Sequence, residues 1–178
     1  MSLAKTEYQI GDFVIYKNNG LCCISEIIDQ DFGAGVKTYY ILKQQEGLKS
    51  SYYVPKDLEG IENFMRKTID KKSVEKAIKN VESKDVKWID DGKERALVFN
   101  KVMTMGPVED ILYVYKVLVN KKRDAESIKK RLYLCDERTL TTAEKLITQE
   151  FSYALGIDKE EVIPYIIKVA NKTKNKGN

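Results

Sequence analysis

Histidine is absent from the 178 residues of this chain. Its absence excludes the Ser–His and Cys–His pairs that activate many catalytic nucleophiles, and it removes the commonest ligand of zinc sites. Phosphate-binding loops, nucleophile elbows and dinucleotide-binding fingerprints are missing as well. Asp90 and Asp91 are adjacent carboxylates without a second carboxylate motif. We therefore expect no enzymatic activity, no cofactor, no metal site and no small-molecule substrate.

Cysteine is scarce, with Cys22, Cys23 and Cys135 as its three occurrences. The number is odd, and the adjacent pair would point to opposite faces of a strand, so we expect no disulfide framework. No apolar run approaches the ~20 residues that cross a bilayer. The first residues also lack the apolar core of a signal peptide. These features predict a protein of the reducing cytoplasm without a membrane partner.

Residues 8–68 have the pattern of short strands separated by turns. Apolar, aromatic and β-branched runs predict strands at 13–16, 21–28, 38–42, 51–55 and, more briefly, near 61–65. Five strands at this spacing predict a small antiparallel β-barrel. Its tyrosines admit two interpretations, a cage for a methylated ligand or ordinary packing of the barrel. Each of the pairs Tyr39-Tyr40 and Tyr52-Tyr53 must split between the two faces of its strand.

From about residue 69 the apolar period becomes helical. We expect Ser73 and Thr141 to cap helices, and Gly156 to end one. Further helices are predicted from Asp91 to Met103, from Pro107 onward and from Asp158 onward, with Leu97, Val98 and Val102 facing inward in the first of these. Pro164 either kinks the last helix or marks its start. The fold class is therefore α+β in two domains, with a barrel at residues 1–68 and a bundle of four to five helices at 69–178.

The net charge of +4 is unevenly distributed. Residues 1–68 carry eight basic and nine acidic side chains, a balance of −1, whereas residues 69–178 carry 23 and 18, a balance of +5. Two basic runs, 121–123 and 129–131, form either a cationic ridge or a solvated helix end.

Trp88 is the only tryptophan, and it lies in a charged segment between two helical patterns. Lys84, Lys87, Lys93 and Arg95 surround it, as they would surround an apolar wedge against nucleic acid. The alternative is that the indole seals the gap between barrel and bundle.

Several motifs resemble those of the CarD/CdnL family. Gly11-Asp12-Phe13-Val14-Ile15-Tyr16-x-x-x-Gly20 is similar to its opening motif, Gly-Asp-x-Val-Val-Tyr-Pro-x-His-Gly. Tyr39-Tyr40-Ile41-Leu42-Lys43 and Val54-Pro55 follow in the family's order. Leu140-Thr141-Thr142-Ala143-Glu144-Lys145 resembles a helix start of the family, and the stretch from Gly156-Ile157 to Val162-Ile163-Pro164-Tyr165 resembles the end of its longer members. The resemblance spans nearly the whole chain.

The resemblance implies a bacterial transcription regulator. In this family a Tudor-like barrel binds the β subunit of RNA polymerase, and a helical domain contacts promoter DNA at the upstream edge of the melted region. A tryptophan wedges into the minor groove there and stabilises the open complex. On this basis we expect polymerase contacts from Gln30, Tyr52, Tyr53, Val54 and Pro55, and DNA contacts from Trp88, Lys87, Lys93, Arg95 and Lys145.

The chain also departs from the family pattern. Lys17 and Asn19 replace the proline and histidine of the opening motif. The family's tryptophan is often followed by paired arginines, whereas Ile89, Asp90 and Asp91 follow Trp88. A protein-interaction adaptor without a nucleic-acid role is the alternative function, with Trp88 as an interdomain residue.

Overall fold

The computed structural model describes residues 7–33, 35–45 and 50–174. The chain divides into two compact units, residues 1–68 and residues 69–178. The first unit contains all the strands of the described residues, and the second contains all their α-helices. This arrangement confirms the expected α+β architecture.

The N-terminal unit is a five-stranded antiparallel sheet. Its strands are β1 (Phe13–Tyr16), β2 (Leu21–Asp31), β3 (Val36–Gln44), β4 (Ser51–Pro55) and β5 (Met65–Lys67). Their order in the sheet is β4-β3-β2-β1-β5. Strands β4 and β5 are the two edges, so the predicted barrel is an open sheet in the part of the chain that the structure describes. One face of the sheet is covered by a core that includes Tyr8, Val14, Cys22, Ile24, Tyr40, Leu42, Val54, Ile61 and Met65.

Three strand predictions were wrong in their bounds, and β3 is longer at both ends than its predicted range of 38–42. The predicted strand near 61–65 is a 3-10 turn at Ile61–Asn63 followed by β5. Strand β2 continues past its apolar run to Asp31, because its polar end still pairs with β3. The Asp31 carboxylate accepts hydrogen bonds from the backbone N–H groups of Gly33 and Gly35 at 2.7 and 3.1 Å, which closes the hairpin.

The second unit contains five helices: α1 (Lys71–Ser83), α2 (Gly92–Met105), α3 (Val108–Ser127), α4 (Leu134–Leu155) and α5 (Lys159–Lys174). All five contribute to one apolar core, and Phe151, Ile147 and Leu118 are fully buried in it. Gly156 ends α4 in the left-handed conformation at φ +65°, as predicted. Pro164 lies inside α5 and does not mark its start. None of the described helices is long and apolar enough to cross a membrane.

The predicted caps of two helices were wrong. Asp70, not Ser73, caps α1, since its carboxylate accepts from the Ser73 N–H at 2.8 Å. Thr141 lies inside α4, where its hydroxyl donates to the carbonyl of Glu137 one turn earlier. A hydroxyl and a glutamate three residues apart also occur inside helices, so the capping pattern alone did not fix where α4 begins.

The predicted inward face of α2 was wrong for Leu97 and Val98, whereas Val102 is partly buried and packs against the core. Leu97 is 73% exposed and Val98 is 39% exposed, whereas Arg95, Phe99 and Met103 are buried. The buried residues are four apart and share one face of the helix. Because arginine occupies the first of these positions, the hydropathy pattern did not predict that this face is buried.

Candidate functional site

Strand β4, predicted to contact polymerase, is an edge of the sheet, and no other strand of the described residues pairs with its outer side. The N–H of Lys56 donates to the carbonyl of Thr38, and the N–H of Gln44 donates to that of Ser50. In an antiparallel ladder, main-chain groups point alternately toward and away from the neighbouring strand. The N–H and C=O groups of Ser51 and Tyr53 therefore point away from β3, where another strand has access to them.

An aromatic patch formed by Phe32, Tyr39 and Tyr53 lies beside this edge. It is on the face of the sheet opposite the core, which we call the open face. The ring of Phe32 meets those of Tyr39 and Tyr53 edge-on, at centroid distances of 5.1 and 5.6 Å. Phe32 is 60% exposed and Tyr53 is 51% exposed. Contiguous exposed rings of this kind are typical of surfaces that bind another protein.

The five predicted polymerase contacts divide between the two faces of the sheet. Gln30, Tyr53 and Pro55 share the face of the aromatic patch, as the cross-strand registers show. Val54 is 2% exposed and belongs to the core, so it is removed from the predicted contact set. Tyr52 is half-buried on the core side, and its hydroxyl donates to the side-chain oxygen of Asn19 at 3.0 Å.

Phe32 was missed in the sequence because it follows the predicted end of β2. Extension of that strand by its alternate positions, from Ile28 through Gln30, would have placed Phe32 on the open face. The polar residues 29–31 obscured this signal, since they resemble the start of a loop.

The second candidate region is the tryptophan segment, residues 84–91, which connects α1 to α2. Trp88 is half-buried and packs against the helical core. Two cations lie over its ring: the guanidinium carbon of Arg95 at 4.2 Å from the centroid and the ammonium of Lys121 at 4.9 Å. Trp88 therefore packs within the helical unit, and the residue is only partly buried.

The predicted role of Arg95 as a DNA contact is corrected by its burial. Arg95 is 2% exposed, and its Nε and Nη2 donate to the two carboxylate oxygens of Asp136 at 3.0 and 2.9 Å. Its Nη1 donates to the carbonyls of Ile89 and Asp90 at 2.6 and 3.2 Å. The hydrogen bonds to Asp136 raise the pKa of Arg95 above its ordinary value. All three guanidinium nitrogens therefore bond within the protein, and the buried group is not accessible to a DNA phosphate.

Helix α3 holds the start of the tryptophan segment. The hydroxyl of Tyr113 donates to the carbonyl of Asp85 at 3.0 Å and accepts from the N–H of Lys87 at 3.1 Å. Lys84 forms an ion pair with Glu109 at 2.8 Å. This contact raises the pKa of Lys84 and lowers that of Glu109.

Lys116 completes this attachment at the C-terminus of α1. Its ammonium donates to the carbonyls of Val81, Glu82 and Lys84 at 3.0, 3.1 and 3.0 Å. A cation at this place is favourable because it bonds to carbonyls at the negative end of the helix dipole. The chain therefore leaves α1 in a defined direction toward Trp88.

The remaining predicted DNA contacts are exposed lysines. Lys87 precedes Trp88 and Lys93 lies in the first turn of α2, while Lys145 lies on α4. Lys121 was interpreted in the sequence only as part of a basic run, and the structure brings it to the indole. A contact between residues 33 apart in the chain has no sequence signal of its own. Among the described residues there is no cluster of three or more side chains that could hold a metal ion.

Comparison with known families covers the N-terminal unit. Residues 8–69 match the CarD-like/TRCF RID domain, a protein-interaction domain whose presence implies interaction with RNA polymerase. The match confirms the resemblance for this unit and ends just before α1. No curated protein matches the chain.

Proposed function

We propose that this chain, whose residues 8–69 match the CarD-like/TRCF RID domain, bridges RNA polymerase and promoter DNA and stabilises the open complex. The first unit docks on the β subunit. The second unit places Trp88 and nearby lysines against the DNA at the upstream edge of the melted region.

The main support for docking on RNA polymerase is the open edge of β4 beside the aromatic patch. An exposed strand edge adds a strand of the partner through main-chain hydrogen bonds, and side chains on its open face supply specificity. Tyr53 contributes to both, with its main-chain groups turned outward and its ring in the patch. Gln30 and Pro55 lie on the same face and extend the contact.

The proposed contact with DNA is supported by the excess of five positive charges on residues 69–178 and by the lysines near Trp88. Lys87, Lys93 and Lys121 are placed to meet phosphates, while the accessible part of the indole presses on a base step. Lys145 supplies a further cation on α4.

Tethering to polymerase explains how a few lysines and one partly buried tryptophan can act on promoter DNA. Unstacking a base step costs on the order of a few kcal/mol, so the wedge acts where the duplex is already opening. Docking on polymerase raises the local concentration of the helical unit at that point. We therefore expect weak binding to free duplex DNA, with a steep loss as salt rises. Tight binding to a specific duplex without polymerase would contradict this mechanism.

The docking half is tested by binding of the chain to the purified polymerase β subunit. We expect Tyr53→Ala and Phe32→Ala each to weaken binding about tenfold or more, because aromatic side chains at the centre of interfaces dominate their affinity. Tyr133→Ala is the matched control, since Tyr133 is 74% exposed in the other unit. Equal affinities for all three variants and the wild type would exclude this face.

The DNA half is tested by the lifetime of open complexes formed with homologous polymerase. Wild-type protein should lengthen that lifetime, and Trp88→Ala should lose most of the effect without losing affinity for polymerase. Leu97→Ala removes another exposed apolar side chain, 73% exposed on α2, and should behave as wild type. An unchanged lifetime with Trp88→Ala would remove the wedge, and no effect of the wild type would favour the adaptor without a DNA role.

A further inference from the structure

We infer that Arg95, paired with Asp136, and Tyr113 are positioning residues that fix Trp88 in the orientation from which it contacts DNA. This inference rests on the proposed function for its purpose. Its structural half, the restraint of the indole, concerns the free protein and can be tested without polymerase or DNA.

The tryptophan segment needs such a restraint. Its residues 85–91 have no regular secondary structure, so no helical or strand ladder holds them. A connection with few internal hydrogen bonds ordinarily samples many conformations. Here the start of the segment is hydrogen-bonded to α3, and its end is hydrogen-bonded to Arg95 of α2, which is itself paired with Asp136 of α4.

Arg95 anchors the end of the segment by three kinds of contact at once. Its guanidinium donates to the carbonyls of Ile89 and Asp90, it pairs with Asp136 of α4, and it lies over the ring of Trp88. The fixed planar geometry of a guanidinium makes these contacts mutually dependent. A change in any one of them alters the orientation of the others.

Stability alone does not explain a charged pair at this position. Apolar residues of similar volume often stabilise a fold as much as a buried ion pair does, because both charges lose their hydration. Arg95 and Asp136 have side chains that are only 2% and 3% exposed. An apolar pair could fill this space, but it would leave the carbonyls of the segment and the face of the indole without a directional contact.

Tyr113 anchors the start of the segment. Its hydroxyl bridges the carbonyl of Asp85 and the N–H of Lys87, the residue that precedes Trp88. The orientation of the indole is thus set from both sides, by Tyr113 through the backbone and by Arg95 through the ring and the following carbonyls.

The test uses Trp88 as the reporter, since it is the only tryptophan in the chain. Steady-state emission, acrylamide quenching and anisotropy decay are measured on the full-length protein. Arg95→Lys keeps the charge but loses the planar donor set, and Tyr113→Phe keeps the ring but loses the bridging hydroxyl. Tyr115→Phe is the matched control on the same helix. Folding of each variant is verified by circular dichroism and thermal unfolding.

We expect Arg95→Lys and Tyr113→Phe to shift the Trp88 emission to longer wavelength, to increase its quenching and to quicken the decay of its anisotropy. Tyr115→Phe should leave all three unchanged. If Arg95→Lys fails to fold, Tyr113→Phe still decides the question, because its hydroxyl acts at a partly exposed site. Unaltered Trp88 emission, quenching and anisotropy in the folded variants would overturn the inference.

Open-complex lifetimes then separate this inference from the proposed function. The two variants should shorten the lifetime toward that of Trp88→Ala while keeping their affinity for polymerase. A mobile indole with a wild-type lifetime would overturn the positioning role. If wild-type protein does not lengthen the lifetime at all, the proposed function fails, while the fluorescence result still decides whether the indole is restrained.

Discussion

The buried ion pair of Arg95 and Asp136 offers the sharpest test of the helical unit's energetics. The perturbation is a double-mutant cycle of Arg95→Met, Asp136→Leu and the combination of the two. Each single substitution removes one charge and leaves its partner buried. Loss of one partner of a buried pair destabilises a protein by about 3–5 kcal/mol.

The structure shows which group bears this loss. In Arg95→Met, the carbonyls of Ile89 and Asp90 also lose their donors, but these two residues lie partly or fully at the surface, where water replaces the donors. The carboxylate of Asp136 has no such replacement, since its side chain is 3% exposed. The combined variant leaves no orphaned charge, so we expect its stability to lie close to that of wild type.

The assay is urea unfolding of the full chain, followed by the fluorescence of Trp88 with selective excitation. Because the only tryptophan is in the second unit, the transition reports that unit. The two single variants should each lose about 3–5 kcal/mol, and because the combined variant should be close to wild type, the coupling between the sites should approach the sum of the two single losses.

The matched control is the cycle of Lys84→Met and Glu109→Met in the same unit. Their side chains are 44% and 32% exposed, and pairs at the surface contribute about 1 kcal/mol or less. Single losses below ~1 kcal/mol for the buried pair, or a combined variant as unstable as the sum of the singles, would refute the energetic role assigned to it.

Three further predictions concern other residues. Gly156→Ala should destabilise the second unit by about 1 kcal/mol in the same urea assay, because φ is +65° and an added Cβ meets nothing within 4 Å that would compensate the strain. Burial raises the pKa of Tyr8, whose hydroxyl donates to Met65, so its contribution to stability is present at neutral pH and lost as pH rises through that raised pKa. Calorimetry should therefore show the wild-type advantage over Tyr8→Phe shrinking above about pH 10. The hydrogen bond from Lys84 lowers the pKa of Glu109, so the advantage of wild type over Glu109→Gln should be present at neutral pH and disappear as pH falls below about 4. An advantage that does not change with pH in either pair would contradict the cited contacts.

Much of the fold was predictable because apolar spacing reports which side of an element is buried. Strands β1 and β4 were predicted with their observed bounds from their apolar and aromatic runs. The apolar pattern failed to predict positions where polar residues belong to a strand or to the core. Asp29–Asp31 extend β2 through cross-strand pairing, and Arg95 occupies a core position of α2 through its ion pair.

The candidate sites show the same division. Tyr53 and Trp88 were found from the sequence, one from a resemblance in strand order and the other from its isolation in a charged segment. Phe32 and Lys121 were found only in the structure, because each reaches its aromatic partner across the chain. Val54 and Arg95 were placed on contact surfaces from their sequence position, and packing buries both.

The sequence by itself determined the division into a strand-rich first part and a helical second part, and the match of residues 8–69 to the CarD-like/TRCF RID domain. These properties follow from local period and from residue order, which every stretch of chain carries within itself. Only the tertiary structure decided that the sheet is open with β4 at its edge, that the ring of Phe32 meets that of Tyr53, and that both Arg95 and Lys121 lie over the ring of Trp88. Such contacts depend on packing between segments that are distant in the chain. An arginine is expected at the surface from its sequence alone, and only the structure shows that Asp136 pairs with Arg95 in the interior.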